Sequence, residues 1–136
     1  KRKKSYYLSA KKFSIKGVTW PKLSLSADLY GQLYSHQKEG VQWMASLHSN
    51  GIGGILGDDM GLGKTYQTLT FLGGLMRSKT IRNALIIAPV SVLRSWEKEA
   101  NQIMKGQCVP KVTILVASSD VPKRQRYNML LDAQEW

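Results

Sequence analysis

The stretch "GGILGDDMGLGKT", residues 53–65, decides the fold. "GGILG" at 53–57 reads as a short buried strand, 58–63 as a loop, and a helix opens near Lys64. The loop ends in Gly63-Lys64-Thr65, the close of the phosphate-loop pattern G-x-x-x-x-G-K-[ST]. Laid on that ending, the pattern's first position falls on Asp58 instead of a glycine, so the strict match fails by one residue. The physical parts remain. Gly61 and Gly63 let the backbone curl so that successive N–H groups point at one anion, and the following helix aims its positive end at the same place. Lys64 would reach the β- and γ-phosphates of ATP, and the Thr65 hydroxyl would ligate Mg²⁺.

Two plainer readings compete. A glycine-rich turn can precede Lys-Thr by accident, but strand, double glycine, Lys-Thr and helix agree here. The upstream "GIGGILG" invites a dinucleotide reading, which would need glycine at position 56, where Leu56 stands. Gly51, Gly53 and Gly54 read better as a turn into a strand. Asp58 and Asp59 cannot themselves cradle phosphate. They can orient the loop by accepting backbone N–H bonds, or hold Lys64 while no anion is present.

Around the loop the grammar is α/β. "LYSHQKEGVQWMASLH" at 33–48 reads as a helix, with Val41, Met44 and His48 near one stripe. Gly40 in its interior costs about 1 kcal/mol relative to Ala and suits close packing. "SNG" at 49–51 is a stop and turn. The helix from Lys64 carries Leu69, Leu72 and Met76 on one face. "ALIIAPV" at 84–90 is a continuous apolar run, the mark of a strand buried on both faces, and Pro89 ends it. "SVLRSWEKEANQI" follows as a helix with Ser91 as N-cap. "KVTILVAS" at 111–118 is a third strand, and a further helix follows with Ser119 or Asp120 as cap and Pro122 in its first turn. Strands alternating with helices predict a parallel sheet with helices on both faces, whose ligands gather at the carboxyl ends of the strands.

At 136 residues the chain suits one domain and one core. It carries 20 Lys+Arg against 9 Asp+Glu. Residues 1–22 hold Lys1, Arg2, Lys3, Lys4, Lys11, Lys12, Lys16 and Lys22 with no acid. They read as a flexible basic tail before a 23–136 domain. Such a tail can bind phosphate backbones, serve as a nuclear import signal, or be merely solvated. The single cysteine, Cys108, forbids an internal disulfide and fits a reducing compartment. No apolar run reaches the roughly 18 residues that span a bilayer, and the basic start lacks an apolar signal core. No Cys/His cluster points to a structural metal.

Three segments in order, "LYSHQKEGVQWM", "GGILGDDMGLGKT" and "ALIIAPVSVLRSWEKEA", resemble the Swi/Snf-type ATPases, double-stranded DNA translocases of helicase superfamily 2. The resemblance covers roughly residues 30–117. "DDMGLGKT" resembles that family's "DEMGLGKT" form of motif I, in which the first glycine is also missing. Gly57, where most relatives have Ala, leans toward the Cockayne-syndrome-B-like branch. "LYSHQ" is similar to the upstream glutamine motif, so the resemblance makes Gln37 a reader of adenine. Relatives carry an aromatic residue, commonly Tyr, at the place of His36. "APVSVLRSWEKE" resembles motif Ia, with Trp96 and Glu99 in W-x-x-E spacing near a DNA backbone. The resemblance thus implies an incomplete first lobe of recombinase-like P-loop fold, Lys64 and Thr65 as catalytic contacts, and a nucleotide cradle of Gln37, Asp58, Asp59, Met60, Gly61, Leu62 and Gly63 with those two. It further implies ATP and Mg²⁺, double-stranded DNA and nucleosomes as partners, and chromatin remodelling or DNA repair in the nucleus.

Each residue keeps a plainer alternative. Gln37 can be an exposed helix residue, and Trp43 and Trp96 core packing. Ser91 can be a cap as well as, with Arg94, a phosphate contact. His48 can be a helix-end residue. The family's D-E-x-H box, which would hold Mg²⁺ and position water, has no counterpart, because no Asp-Glu pair followed by His occurs in the sequence. The chain therefore reads as the N-terminal part of a first lobe, short of its acid box. A nucleotide- or DNA-binding module without catalysis is the alternative. A small P-loop kinase is a third reading, which leaves the motif Ia match unexplained.

Overall fold

The fold is built around one helix that is apolar, or small, on nearly every side. In the computed structural model, which describes residues 5–8, 23–107, 109 and 112–134, the elements run β1 (Ser5–Leu8), β2 (Leu23–Ser26), α1 (Ala27–Gln32), α2 (Ser35–Ser49), α3 (Lys64–Arg77), α4 (Val90–Gly106) and α5 (Lys123–Gln134). α3 buries Gln67, Leu69, Thr70, Phe71, Gly73, Gly74 and Leu75. One cluster joins it to β2 and α2 through Leu23, Leu25, Val41, Ala45, Phe71 and Leu75. A second joins it to α1 and α4 through Leu29, Leu69, Ala100 and Ile103, with Trp96 and Tyr66 packed against it. Leucines this deeply buried each contribute about 1.5–3 kcal/mol. Burial also raises the Tyr66 phenol above its ordinary value, so the ring stays a neutral anchor.

The Gly73–Gly74 pair sets how close the neighbours come. A Cβ at Gly74 would stand 2.6 Å from Leu23 Cδ1, and one at Gly73 would stand 3.1 Å from Gln107 Cγ. β2 reads Leu-Ser-Leu-Ser, yet all four residues are buried. Its polar groups are matched in place. Ser24 N–H donates to Ser78 Oγ at 2.7 Å, and Ser26 N–H to Gln107 Oε1 at 2.9 Å. Arg77 Nε donates to Ser24 Oγ at 3.2 Å, and Ser26 Oγ caps α1 by accepting from Leu29 N–H at 3.1 Å. On its other edge β2 pairs antiparallel with β1, Ser5 opposite Ser26 and Leu8 opposite Leu23. β1 falls inside the segment expected to be a flexible tail. The rest of that segment lies outside the described residues.

Among the described residues, the three segments expected to form a parallel sheet make no ladder. Residues 53–57 and 84–89 run without regular pairing, with Ile55 and Ile87 each 90% exposed and Leu85 76% exposed. Residues 112–117 alternate between half-buried and exposed, the period of a strand with one face covered. A parallel strand needs neighbours on both edges and helices on both faces; residues 84–87 and 89 are exposed, and 112–117 are covered on one face only. β2 and α1 were not foreseen.

The helices keep their places with shifted ends. α4 opens at Val90 behind Pro89, so Ser91 lies inside the first turn and is not its cap. α5 opens at Lys123. Ser119 and Asp120 belong to the preceding turn, where Ser118 Oγ donates to Asp120 Oδ1 at 2.5 Å, and Pro122 stands just before the helix. That hydroxyl first, then Asp120's own backbone and more weakly Arg94, hold the Asp120 carboxyl below its ordinary value. No helix among the described residues is long and apolar enough to cross a membrane.

Candidate nucleotide site

Gly61 and Gly63 both take the left-handed conformation, at φ 88° and 76°, which an L side chain rarely adopts. Gly63 is the N-cap of α3 and offers no side-chain cap to the first turn. The orphan N–H groups there stay available to an anion, at the positive end of a helix of 14 residues. Lys64 is the first helical residue, as the sequence predicts, and Thr65 follows it. Met60 at the loop tip is 96% exposed. A bare backbone cradle, a lysine and a hydroxyl at one point fit a polyphosphate. Among the described residues no group of three or more His, Cys, Asp or Glu could hold a metal ion. The Thr65 hydroxyl, beside Lys64 at the helix start, is a donor type that suits Mg²⁺ with phosphate oxygens as its other ligands.

The two acids act differently from expectation. Lys64 Nζ is held near the loop, but by main-chain oxygens: it donates to the Asp58 carbonyl at 2.6 Å and the Asp59 carbonyl at 2.8 Å. The Asp58 carboxylate accepts from a side chain, Gln67 Nε2 at 2.9 Å. Gln67 has no exposed surface and also donates to the Leu62 carbonyl at 3.3 Å. Sequence reasoning missed it. A glutamine three residues past a lysine looks like the polar side of a helix.

α2 meets the same loop. Gln37 is 8% exposed, not the free helix residue of its plainer reading. It donates through Nε2 to the Leu62 carbonyl at 3.4 Å, and its Oε1 accepts from Tyr34 N–H at 3.1 Å. A Cβ at Gly63 would stand 2.6 Å from Gln37 Nε2, a second reason for glycine there. His36 Nε2 lies 3.2 Å from the same carbonyl, so that nitrogen carries the proton if they bond. The His36 ring stacks on Tyr34 at 5.9 Å and 8°.

A cavity of about 340 Å³ opens between α2 and the loop's start, with Trp43, Leu56 and Asp58 in its wall. It includes none of Gly61, Gly63, Lys64 or Thr65 and is not the phosphate site. Trp43 packs beside the backbone of Gly54, where a Cβ would stand 2.8 Å from Cη2. Trp96 packs on the second core cluster. His48 stands in the last turn of α2, edge-on to Phe71 at 6.0 Å. At the start of α4, Ser91 and Arg94 are exposed, and Arg94 Nη1 lies 3.5 Å from Glu97 Oε2. They are accessible and stand 26 residues and more from the loop in sequence.

A glycine-curled loop that brings an uncapped helix end and a Lys-Thr pair to one point defines a phosphate-loop protein. The chain belongs to the SNF2-related domain family, which matches residues 36–134 and is of the P-loop helicase fold. It is 54% identical over 86 residues to Protein CHROMATIN REMODELING 24 of Arabidopsis thaliana, covering 60% of this chain and 8% of that protein. It is 47% identical over 87 residues to the SNF2 domain-containing protein ENL1 of rice, covering 64% and 9%. To the rice DNA excision repair protein CSB it is 46% identical over 80 residues, covering 59% and 7%. The chain thus spans under a tenth of the length of these relatives. The branch toward which Gly57 leans is represented among them, beside others.

Proposed function

We propose that this chain is the ATP-binding segment of a DNA-dependent ATPase that moves along double-stranded DNA in the nucleus, in chromatin remodelling or DNA repair. The observation that carries the reading is the loop itself: Gly61 and Gly63 in left-handed conformation, and Lys64 and Thr65 opening an uncapped α3. In this reading the backbone from Asp58 to Gly63 cradles the phosphates. Lys64 neutralises the β- and γ-phosphates, Thr65 and the nucleotide hold Mg²⁺, and Gln37 meets the adenine. In this reading residues 53–57, 84–89 and 112–117 pair as strands of a parallel sheet when their exposed edges and faces are covered. The names of the relatives support the DNA-directed reading.

The direct test is competition for bound ATP. A phosphate loop grips the β-phosphate, so ADP should displace ATP at comparable concentration while AMP should need far more. Equal competition by AMP would mean that the base alone is recognised, and would sink the loop assignment.

Duplex DNA, and the nucleosome as its packaged form, is the proposed partner. Residues 1–22 supply eight cations without an acid, and Arg94 with Ser91 offers a second contact. Because β1 lies in that segment, the test is substitution and not deletion: Lys1, Arg2, Lys3, Lys4, Lys11, Lys12 and Lys16 changed to Gln. Affinity for duplex DNA should then depend less on salt, the slope of log K against log salt falling by roughly 0.9 for each lost phosphate contact. An unchanged slope would leave the segment as an import signal or an inert tail.

The alternative is a nucleotide- or DNA-binding module without catalysis. It is favoured by one observation: these residues contain no Asp-Glu pair followed by His.

A further inference from the structure

Gln67 is a polar side chain in the wrong solvent. It has no exposed surface, and its Oε1 is buried without a hydrogen-bond partner. That oxygen lies against Gly40 of α2, where a Cβ would stand 1.9 Å away. Leu or Met would fill this place without stranding an acceptor, so packing does not explain an amide here. What the amide does is on its other side. Nε2 donates to Asp58 Oδ2 at 2.9 Å and to the Leu62 carbonyl at 3.3 Å. Asp58 opens the loop and Leu62 stands just before its last glycine, so a single NH₂ group ties the two ends together.

The tie reaches the phosphate contacts. Asp58, whose carboxylate Gln67 holds, gives its own carbonyl to Lys64 Nζ at 2.6 Å. The Leu62 carbonyl is approached by Gln67, Gln37 and His36 together. One carbonyl oxygen has two lone pairs, so these three donors exceed its capacity. Gln37 can turn toward a base and leave that oxygen satisfied.

We propose that Gln67 is a positioning residue that clamps the phosphate loop, fixing Asp58 against Leu62 so that the loop is curled for phosphate before a nucleotide arrives. The proposal rests on the nucleotide reading above and adds to it the residue that preorganises the loop. Gly40 is its counterpart on α2, the space that lets the amide lie flat.

The test titrates ATP-Mg²⁺ into the chain and into Gln67→Leu, Gln67→Glu, Asp58→Asn and the double swap Asp58→Asn/Gln67→Glu, with Lys64→Ala as reference and an unfolding scan on each. Losing a hydrogen bond to a charged partner should make Gln67→Leu bind about tenfold more weakly while staying folded. Gln67→Glu sets two carboxylates together, which raises their shared affinity for a proton. Its binding should therefore recover as pH falls from 8 toward 5.5 and an O–H donor returns. The swap turns the donor of the 58–67 bond around, though it does not restore the bond to the Leu62 carbonyl, and should bind more tightly than Gln67→Glu. A simple loss of packing would show neither the pH recovery nor the rescue. Should Gln67→Leu not fold, the swap decides against Gln67→Glu: rescue supports the clamp, and a folded swap no better than Gln67→Glu overturns it. If Lys64→Ala weakens binding and Gln67→Leu does not, the clamp is refuted with the loop reading intact. If neither weakens it, the loop reading falls and the clamp with it.

Discussion

Given ATP and Mg²⁺, the 136-residue chain should release phosphate no faster than buffer, with or without duplex DNA. The reason is which contacts these residues provide. In the proposed reading Lys64, Thr65 and the N–H groups at the start of α3 hold a nucleotide in its ground state. Only interactions that strengthen toward the transition state accelerate the chemical step. Those come from an acid that fixes Mg²⁺, a residue that aims the attacking water, and a cation that meets the charge spreading over the transferred phosphoryl group. The sequence has no Asp-Glu pair followed by His to supply the first two. An arginine delivered to a phosphoryl transfer is worth roughly 10³–10⁵ in rate. A polypeptide extended through an acid box and a second lobe should therefore hydrolyse ATP, and duplex DNA laid across both lobes should stimulate it. The measurement is phosphate release for both polypeptides, each with and without duplex. DNA-stimulated turnover by the 136 residues alone would contradict this account, and an extended form indifferent to DNA would remove the translocase reading.

What the sequence made legible was local. The phosphate loop is a contiguous run with fixed glycine positions, so Lys64 as first helical residue and the turn at Gly51 could be read directly. α2 was legible to within two residues at its start, because Val41, Met44 and His48 keep helical spacing. What stayed hidden depends on partners far away in the chain. β2 is four residues long, and Ser24 and Ser26 look like a solvent face. They are buried only because Ser78, 54 residues on, and Gln107, 81 residues on, accept from their N–H groups. Gln67 is hidden for the same reason, since its environment is made by Gly40 on another helix and Asp58 across a loop. The three expected strands show the opposite error. "ALIIAPV" reads as buried on both faces from composition alone. Composition states what a strand requires and not whether its covering elements are present, and Leu85 and Ile87 are exposed here.

Replacing Lys64 by Ala should weaken ATP binding by tenfold to a hundredfold and leave folding nearly unchanged. Nζ sits 2.6 and 2.8 Å from the Asp58 and Asp59 carbonyls, so a nucleotide must share it or draw it away. The ammonium's bonds to the carbonyls carry charge at one end only, whereas those to phosphate carry it at both ends and add direct Coulomb attraction, so the phosphates win the exchange; a charge-assisted bond is worth about 1.5–3 kcal/mol. The difference between charged and lost contact converts to roughly one or two decades in affinity. Stability should hardly move, because Asp59 is exposed and Asp58 half-buried, so water replaces Nζ on their carbonyls. A surface change of that kind stays within about 0.5 kcal/mol. Lys64→Arg separates charge from shape. It keeps the cation but replaces a compact ammonium with a planar fork, and should bind between wild type and Lys64→Ala. Isothermal titration of the three proteins, with an unfolding scan on each, reads both quantities. Unchanged affinity in a folded Lys64→Ala would show that nothing anionic meets this loop. A large fall in melting temperature would instead make Lys64 a structural tie between Asp58 and α3, with nucleotide binding lost only because the loop is lost.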